Sequence, residues 1–284
     1  MRFLLLLLAL VIPSYALADQ CDDWLEPSFW STATADGVEV CLETHKIEKE
    51  NEFGFRPFEM AIPFTRDPQV IRVLIDHGAD LERVFEPASQ TAFLFVILLN
   101  GRPEIIDVFL ESGTDLEQKS DGLSALHLLA SIVGNEKLAK SLQSDLRLDS
   151  LPEYESNLNE FAFRPDSSLI SQLVDAGADI NEPTNALETP LHNAMHGRAN
   201  PLLAKILIDR GADLNPTDAD GHTPLHHGVM SAYDLDRIML LLNAGGDPSI
   251  KDKEGKVAWD YIQGNEHLTD IQKDLLEPML ESTE

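Results

Sequence analysis

Basic residues are scarce in this chain. Lys and Arg number 21 against 49 Asp and Glu in 284 residues, a formal charge of −28. Phosphate-backbone binding needs Lys and Arg to displace counterions, so the chain is a poor candidate for a nucleic-acid partner. The same sign repels anionic membrane surfaces. Cysteine is nearly absent; the two present are too few for a disulfide-dense scaffold or a Cys₄ zinc site. Catalytic signatures are missing too: there is no G-x-S-x-G, H-E-x-x-H, G-x-x-x-x-G-K-[ST] or G-x-G-x-x-G. Beyond residue 18 no apolar run is long enough to span a bilayer. What remains is 43% hydrophobic, enough for a sizeable core.

The first residues read as a removable leader. Met1-Arg2 precedes an apolar run from Phe3 to Ile12, Pro13-Ser14 break it, and Ala16-Leu17-Ala18 forms an A-x-A site before Asp19. The run is half the roughly 20 residues a spanning helix needs, so residues 1–18 are expected to be a cleaved signal peptide rather than an anchor. Cleavage removes Arg2 and no acid, which makes the mature chain slightly more acidic. The expected location is periplasmic or secreted. An even pair of cysteines there, Cys21 and Cys41, reads as a disulfide, with two unpaired thiols as the alternative.

Two strings then recur on one period. His77-Gly78-Ala79-Asp80-Leu81 returns as Ser112-Gly113-Thr114-Asp115-Leu116, Ala176-Gly177-Ala178-Asp179-Ile180, Arg210-Gly211-Ala212-Asp213-Leu214 and Ala244-Gly245-Gly246-Asp247. Its glycines lie 35, 64, 34 and 34 residues apart. The second string is Ser124-Ala125-Leu126-His127, Thr189-Pro190-Leu191-His192 and Thr223-Pro224-Leu225-His226. Degenerate copies begin at Arg56, Thr91 and Val257, giving spacings of 35, 33, 65, 34 and 34. Thr is a helix N-cap and Pro fits the first helical position; the glycine supplies a left-handed C-cap.

From about Ser28 to its end the chain resembles the ankyrin repeats, whose period is 33 and whose inner helix opens on T-P-L-H. The resemblance implies an all-α solenoid of stacked helix-turn-helix units with projecting finger loops. It divides the chain into N-terminal capping helices (19–50), repeats (51–251, about six) and a C-terminal capping unit (252–284). Cys21-Asp22-Asp23-Trp24 followed by Ser28 to Leu42 resembles the helix pair that opens many exported bacterial ankyrin proteins, which supports pairing Cys21 with Cys41. Leu268 to Leu280 reads as a last amphipathic helix with its acids outward. The one or two units within 120–183 are degenerate. Leu158 to Phe163 reads as a second, degenerate inner helix there; the alternative is one repeat with about thirty residues inserted between its helices. Loops that long inside a compact domain are uncommon, which favours the degenerate repeat.

The resemblance also implies a non-catalytic protein-binding module that uses finger loops and the concave face of the inner helices. Positions that align with such contacts are Glu188, Asn193, His196, Arg198, His222, His227, Met230, Ser231 and Tyr233; Phe64, Leu98, Leu99 and Asn100 are N-terminal counterparts, of which Phe64, Leu98 and Leu99 can equally be core, and Phe85 lies in a finger one residue longer than standard. No cofactor is expected. Asp218-Ala219-Asp220-Gly221 starts like a calcium loop, but His227 stands where the bidentate Glu belongs. His192, His196, His222, His226 and His227 suggest a zinc or copper site, against which no acid or Cys completes the set at a recognisable spacing. The expected partner is a protein, with a lean toward a basic one, and the chain is expected to be a monomer. An alternative function is that of a dedicated inhibitor, immunity or protective partner of an exported enzyme.

Overall fold

The computed structural model describes residues 21–25, 27–51, 54–85, 90–99, 101–119, 122–132, 168–196, 201–231 and 235–280. Residues 1–18, expected to be a leader, lie outside them with Asn100, Arg198, Tyr233 and residues 135–165, as do the side chains of Phe85, Leu98 and Leu99. Among the described residues no helix is long and apolar enough to cross a membrane. They divide into two compact units.

The first unit begins with a 3₁₀ turn at Cys21–Asp23. Helices α1 (Pro27–Thr32), α2 (Ala35–Thr44), α3 (Pro57–Phe64), α4 (Pro68–Asp76), α5 (Ala92–Leu99) and α6 (Pro103–Glu111) follow. A two-residue antiparallel ladder, β1 (Val84–Phe85) with β2 (Gln90–Thr91), precedes α5 and is a small departure from the all-α expectation. α1 packs on α3 and α3 on α5, while α2 packs on α4, so inner and outer helices form two rows. Cys21 and Cys41 are joined, tying the opening turn to α2. Trp24 and Trp30 are fully buried beside this bridge, and the Trp30 indole N–H donates to the Trp24 carbonyl at 2.7 Å. Phe58, Phe93 and Phe109 form a run of rings with centroids 5.9 and 6.1 Å apart. Burying each ring contributes about 1.5–3 kcal/mol. Phe64 is buried with them, so its place is core.

The second unit holds α7 (Ala125–Ile132), α8 (Ser168–Asp175), α9 (Pro190–Met195), α10 (Pro201–Asp209), α11 (Pro224–Ser231) and α12 (Asp236–Ala244). It ends with a 3₁₀ turn at Ala258–Gly264 and α13 (Asp270–Leu280). α7, α9, α11 and the 3₁₀ turn make the inner row; α8, α10 and α12 make the outer row. α7 pairs with α8 and packs directly on α9. Gly228 of α11 allows the close approach to α9: a Cβ there would lie 2.5 Å from the Met195 terminal methyl. The closing elements differ from expectation in two ways. The last inner element is 3₁₀ rather than α, and α13 buries Leu276 and Leu280 but leaves Ile271 and Leu275 exposed.

The repeated strings act as hydrogen-bonding devices. All five glycines of the first string have positive φ, from 79° to 109°, the conformation that favours glycine and ends the outer helix. The aspartate that follows caps its own turn: Asp80, Asp115, Asp179 and Asp247 each accept from the backbone N–H two residues on. In the second string the histidine Nδ1 accepts from the backbone N–H of Ser124, Thr189 or Thr223. That fixes the neutral Nε2–H tautomer, and Nε2 donates to a carbonyl of the next unit: His127 to Glu188 at 3.0 Å, His192 to His222 at 3.1 Å and His226 to Lys256 at 3.3 Å. The same link therefore spans 61 residues at His127 and 30 at the other two.

Where the histidine is replaced, the bonding changes with the chemistry. Glu59 is almost fully buried; its Oε2 accepts from the Arg56 N–H at 2.6 Å and its Oε1 from Arg83 at 3.0 Å. A carboxylate cannot donate to a carbonyl, so the following finger supplies a cation instead. Asp260 accepts from the Val257 N–H at 2.9 Å.

Candidate functional site

Three turns of the second unit are built alike, and their differences create the site. Thr184, Asp218 and Asp252 each donate a backbone N–H to the carbonyl four residues on, that of Glu188, His222 or Lys256. Those are the carbonyls that receive the histidine protons. The Thr184 hydroxyl accepts from the N–H groups of Ala186 and Glu188. Asp218 does the same for Asp220 and His222 with Oδ1 alone, and Asp252 for Glu254 and Lys256. Each aspartate thus keeps a second oxygen, which the threonine lacks.

The spare oxygens hold the aromatic groups of α11 and the closing turn. Asp218 Oδ2 lies 2.8 Å from His227 Nε2, and His227 Nδ1 lies 2.6 Å from His196 Nε2. Glu188 Oε1 is 3.8 Å from the same His196 nitrogen. His222 stands between Asp218 at 3.6 Å and Asp252 at 3.4 Å, and Asp252 also accepts from the Tyr261 hydroxyl. Arg237 of α12, almost fully buried, donates to the carbonyls of Ala194 and His196, which fixes the end of α9 that carries His196.

These surroundings set the protonation states. Burial, followed by the charge of His196, lowers the His227 pKa to about 4 despite the Asp218 hydrogen bond. Burial likewise lowers His192 to about 4 and lowers His127 and His226. Burial acts to raise Asp218, but bonds from His227 and from the N–H groups of His222 and Asp220 outweigh it and hold the carboxyl below its ordinary value. The Asp252 bond, then burial, pushes Tyr261 up to about 12. Two sets of groups have ligand atoms within 4.8 Å of one another: Glu188, His196 and His227, and Asp218, His222 and His227.

The structure brings together Glu188, His196, His222 and His227 from the positions expected at a binding surface. Their accessibility differs. His196 is exposed, Glu188 and His222 are half-buried, and Asn193 and His227 are buried, so the last two are shielded from a partner. Met230 and Ser231 lie in the last turn of α11, where the Ser231 hydroxyl donates to the His227 carbonyl at 2.6 Å. The sequence reading missed Asp218 as the partner of His227 and Arg237 as the anchor of His196. Asp218 supplies a carboxylate that sequence spacing did not reveal. It also missed Leu187. Gly122, Gly221 and Gly255 occupy the corresponding turn position with φ between 79° and 86°; Leu187 takes φ 63° there and is 52% exposed. Lining the turns up on their carbonyls would have shown that substitution.

Residues 158–252 match the family model of ankyrin repeats in three copies. The matched span contains α8 to α12 and the site residues from Glu188 to Asp252; Lys256 and Tyr261 lie beyond it. No curated protein matches the chain.

Proposed function

We propose that the chain is an exported, non-catalytic protein-binding module whose contact surface runs from Leu187 to Ser231 and includes the turn at Leu187. Ankyrin repeats generally mediate protein–protein interaction. The choice of this surface rests on Leu187. A bulky residue in the left-handed region costs about 1–2 kcal/mol, and this one is half exposed where the neighbouring turns use glycine. Strain of this kind is characteristically retained at functional positions. The surrounding acids favour a partner with a basic rim around an apolar patch, since opposite charge speeds encounter and fixes register. Export is supported by the Cys21–Cys41 bridge, a bond of oxidising compartments. For the repeat count we favour five full repeats between the two caps, since α7 packs on both α8 and α9.

Leu187→Gly tests the surface without disturbing the fold. Relief of about 1–2 kcal/mol of strain offsets roughly 1 kcal/mol of lost half-burial and the added flexibility of glycine, about 0.5–1 kcal/mol. Immobilised wild type and variant would be exposed to extract from the exporting compartment and washed with rising salt. Captured proteins should leave the variant at lower salt. Identical partners released at identical salt would end this reading. A single stoichiometric partner points to a dedicated inhibitor or immunity role; several weaker ones point to a general module.

A further inference from the structure

We propose that Glu188, His196 and His227 form a binding site for a divalent transition-metal ion of the zinc class, with Asp218 as the residue that positions His227. The argument begins with hydrogen positions. Asp218 Oδ2 only accepts, so the nitrogen 2.8 Å away, His227 Nε2, carries the ring proton. With that proton on Nε2, the 2.6 Å approach of His196 Nε2 calls for an acceptor on the other ring nitrogen, Nδ1, which then bears a bare lone pair. That lone pair is aimed at His196 Nε2, 2.6 Å away, and Glu188 Oε1 stands 3.8 Å beyond on the same nitrogen. A carboxylate fixing one imidazole nitrogen while the other binds is the usual support of a zinc-ligating histidine.

Size and access fit. Tetrahedral zinc with bonds of 2.0–2.1 Å holds its ligand atoms about 3.3 Å apart. The 3.8 Å pair is near that value. The 2.6 Å pair has to open, and His196, half exposed on the residue that caps α9, is free to swing outward. On binding, the His196 proton passes from Nε2 to Nδ1, and no other proton has to move. Two imidazoles and one carboxylate give a His₂Glu set with a fourth position open to water. The chain's excess of 28 negative charges favours a cation throughout. The site is independent of the protein-binding reading, since it needs no partner.

Isothermal titration of zinc chloride into the chelator-treated full chain tests it. We expect one ion per chain, with His196→Ala and Glu188→Gln each weakening binding at least about 10-fold as ligands are lost. Asp218→Asn keeps a carbonyl oxygen for the turn N–H groups but places an amide donor against His227, forcing the proton onto Nδ1; binding should fall roughly 10–100-fold. His222→Ala should leave it unchanged. Circular dichroism of each variant, matching wild type, excludes loss of fold as the cause. Absence of heat with wild type, or heat unaffected by His196→Ala and Glu188→Gln, would overturn the proposal. So would loss with His222→Ala alone, which would place the ion between Asp218 and His222.

Discussion

Replacing Glu59 probes how a repeat copes with losing its histidine. Glu59 Oε1 takes a bond from Arg83 at 3.0 Å and Oε2 takes one from the Arg56 N–H at 2.6 Å, and its side chain is 2% exposed. Removing one member of a buried pair costs about 3–5 kcal/mol. Arg83 is 19% exposed and retains Glu50 at 2.8 Å, so Glu59→Ala should lie near the lower end, roughly 3 kcal/mol. Glu59→His restores the acceptor for the Arg56 N–H, as in the other units, but sets an Nε2–H donor against a guanidinium that also only donates. It should therefore be destabilising alone, and Arg83→Ala in the same chain should recover at least about 1 kcal/mol, the cost of the clashing, unsatisfied donor. Urea unfolding followed by tryptophan fluorescence would measure this, with Trp259 replaced by Phe so that Trp24 and Trp30 report on the first unit. Strict additivity of the two changes, within about 0.5 kcal/mol, would refute the account of Glu59 and Arg83 as an exchanged pair.

Other perturbations give distinct expectations. Cys41→Ser should lower the stability of the first unit by about 3 kcal/mol, the value for a loop of this length, and should abolish the effect of reductant on its urea midpoint. Gly221→Ala and Gly255→Ala both strain a left-handed residue, but only at Gly221 would the new Cβ lie 2.9 Å from the Lys253 backbone nitrogen; calorimetry should show Gly221→Ala melting lower. His192 is neutral down to about pH 4 when folded, against 6.5 for the free side chain. Because its folded value is lowered, its protonation favours the unfolded chain. Stability should be complete above pH 6.5 and fall as pH drops toward 4, by about 2 kcal/mol from His192 alone between pH 7.5 and 5. Denaturation with chelator present checks this, and a His192→Asn variant with an equally steep pH dependence would contradict it.

The parts of the fold that depend on near neighbours in the chain were legible beforehand. Gly78, Gly113, Gly177, Gly211 and Gly245 announce helix ends because only their own backbone is at stake. The T-P-L-H strings announce helix starts for the same reason. The acceptors of those histidines are 30 or 61 residues distant, so the resemblance implies bonds along the stack but no local pattern names the acceptors. The spacing of 65 between Ser124 and Thr189 looked like two periods and favoured a degenerate repeat; α7 packs directly on α9, while the ankyrin match begins at residue 158. Asp218 was readable as a turn residue, which it is. That one of its oxygens remains for His227 follows from geometry alone.

The histidine-to-carbonyl link also gives the array a direction. Each unit bearing the motif leaves one proton to be received by the unit after it, so such a unit is incomplete until its successor is in place. Asp260 breaks the rule, since an acid asks for no acceptor beyond its own turn. Glu59 breaks it too, and there the following finger supplies Arg83 in place of a carbonyl. A further 34-residue cassette spliced between Thr189 and Thr223 would find both a donor behind it and an acceptor ahead. The same cassette appended past Asp260 would instead need a cation in its finger, as the unit after Glu59 brings Arg83.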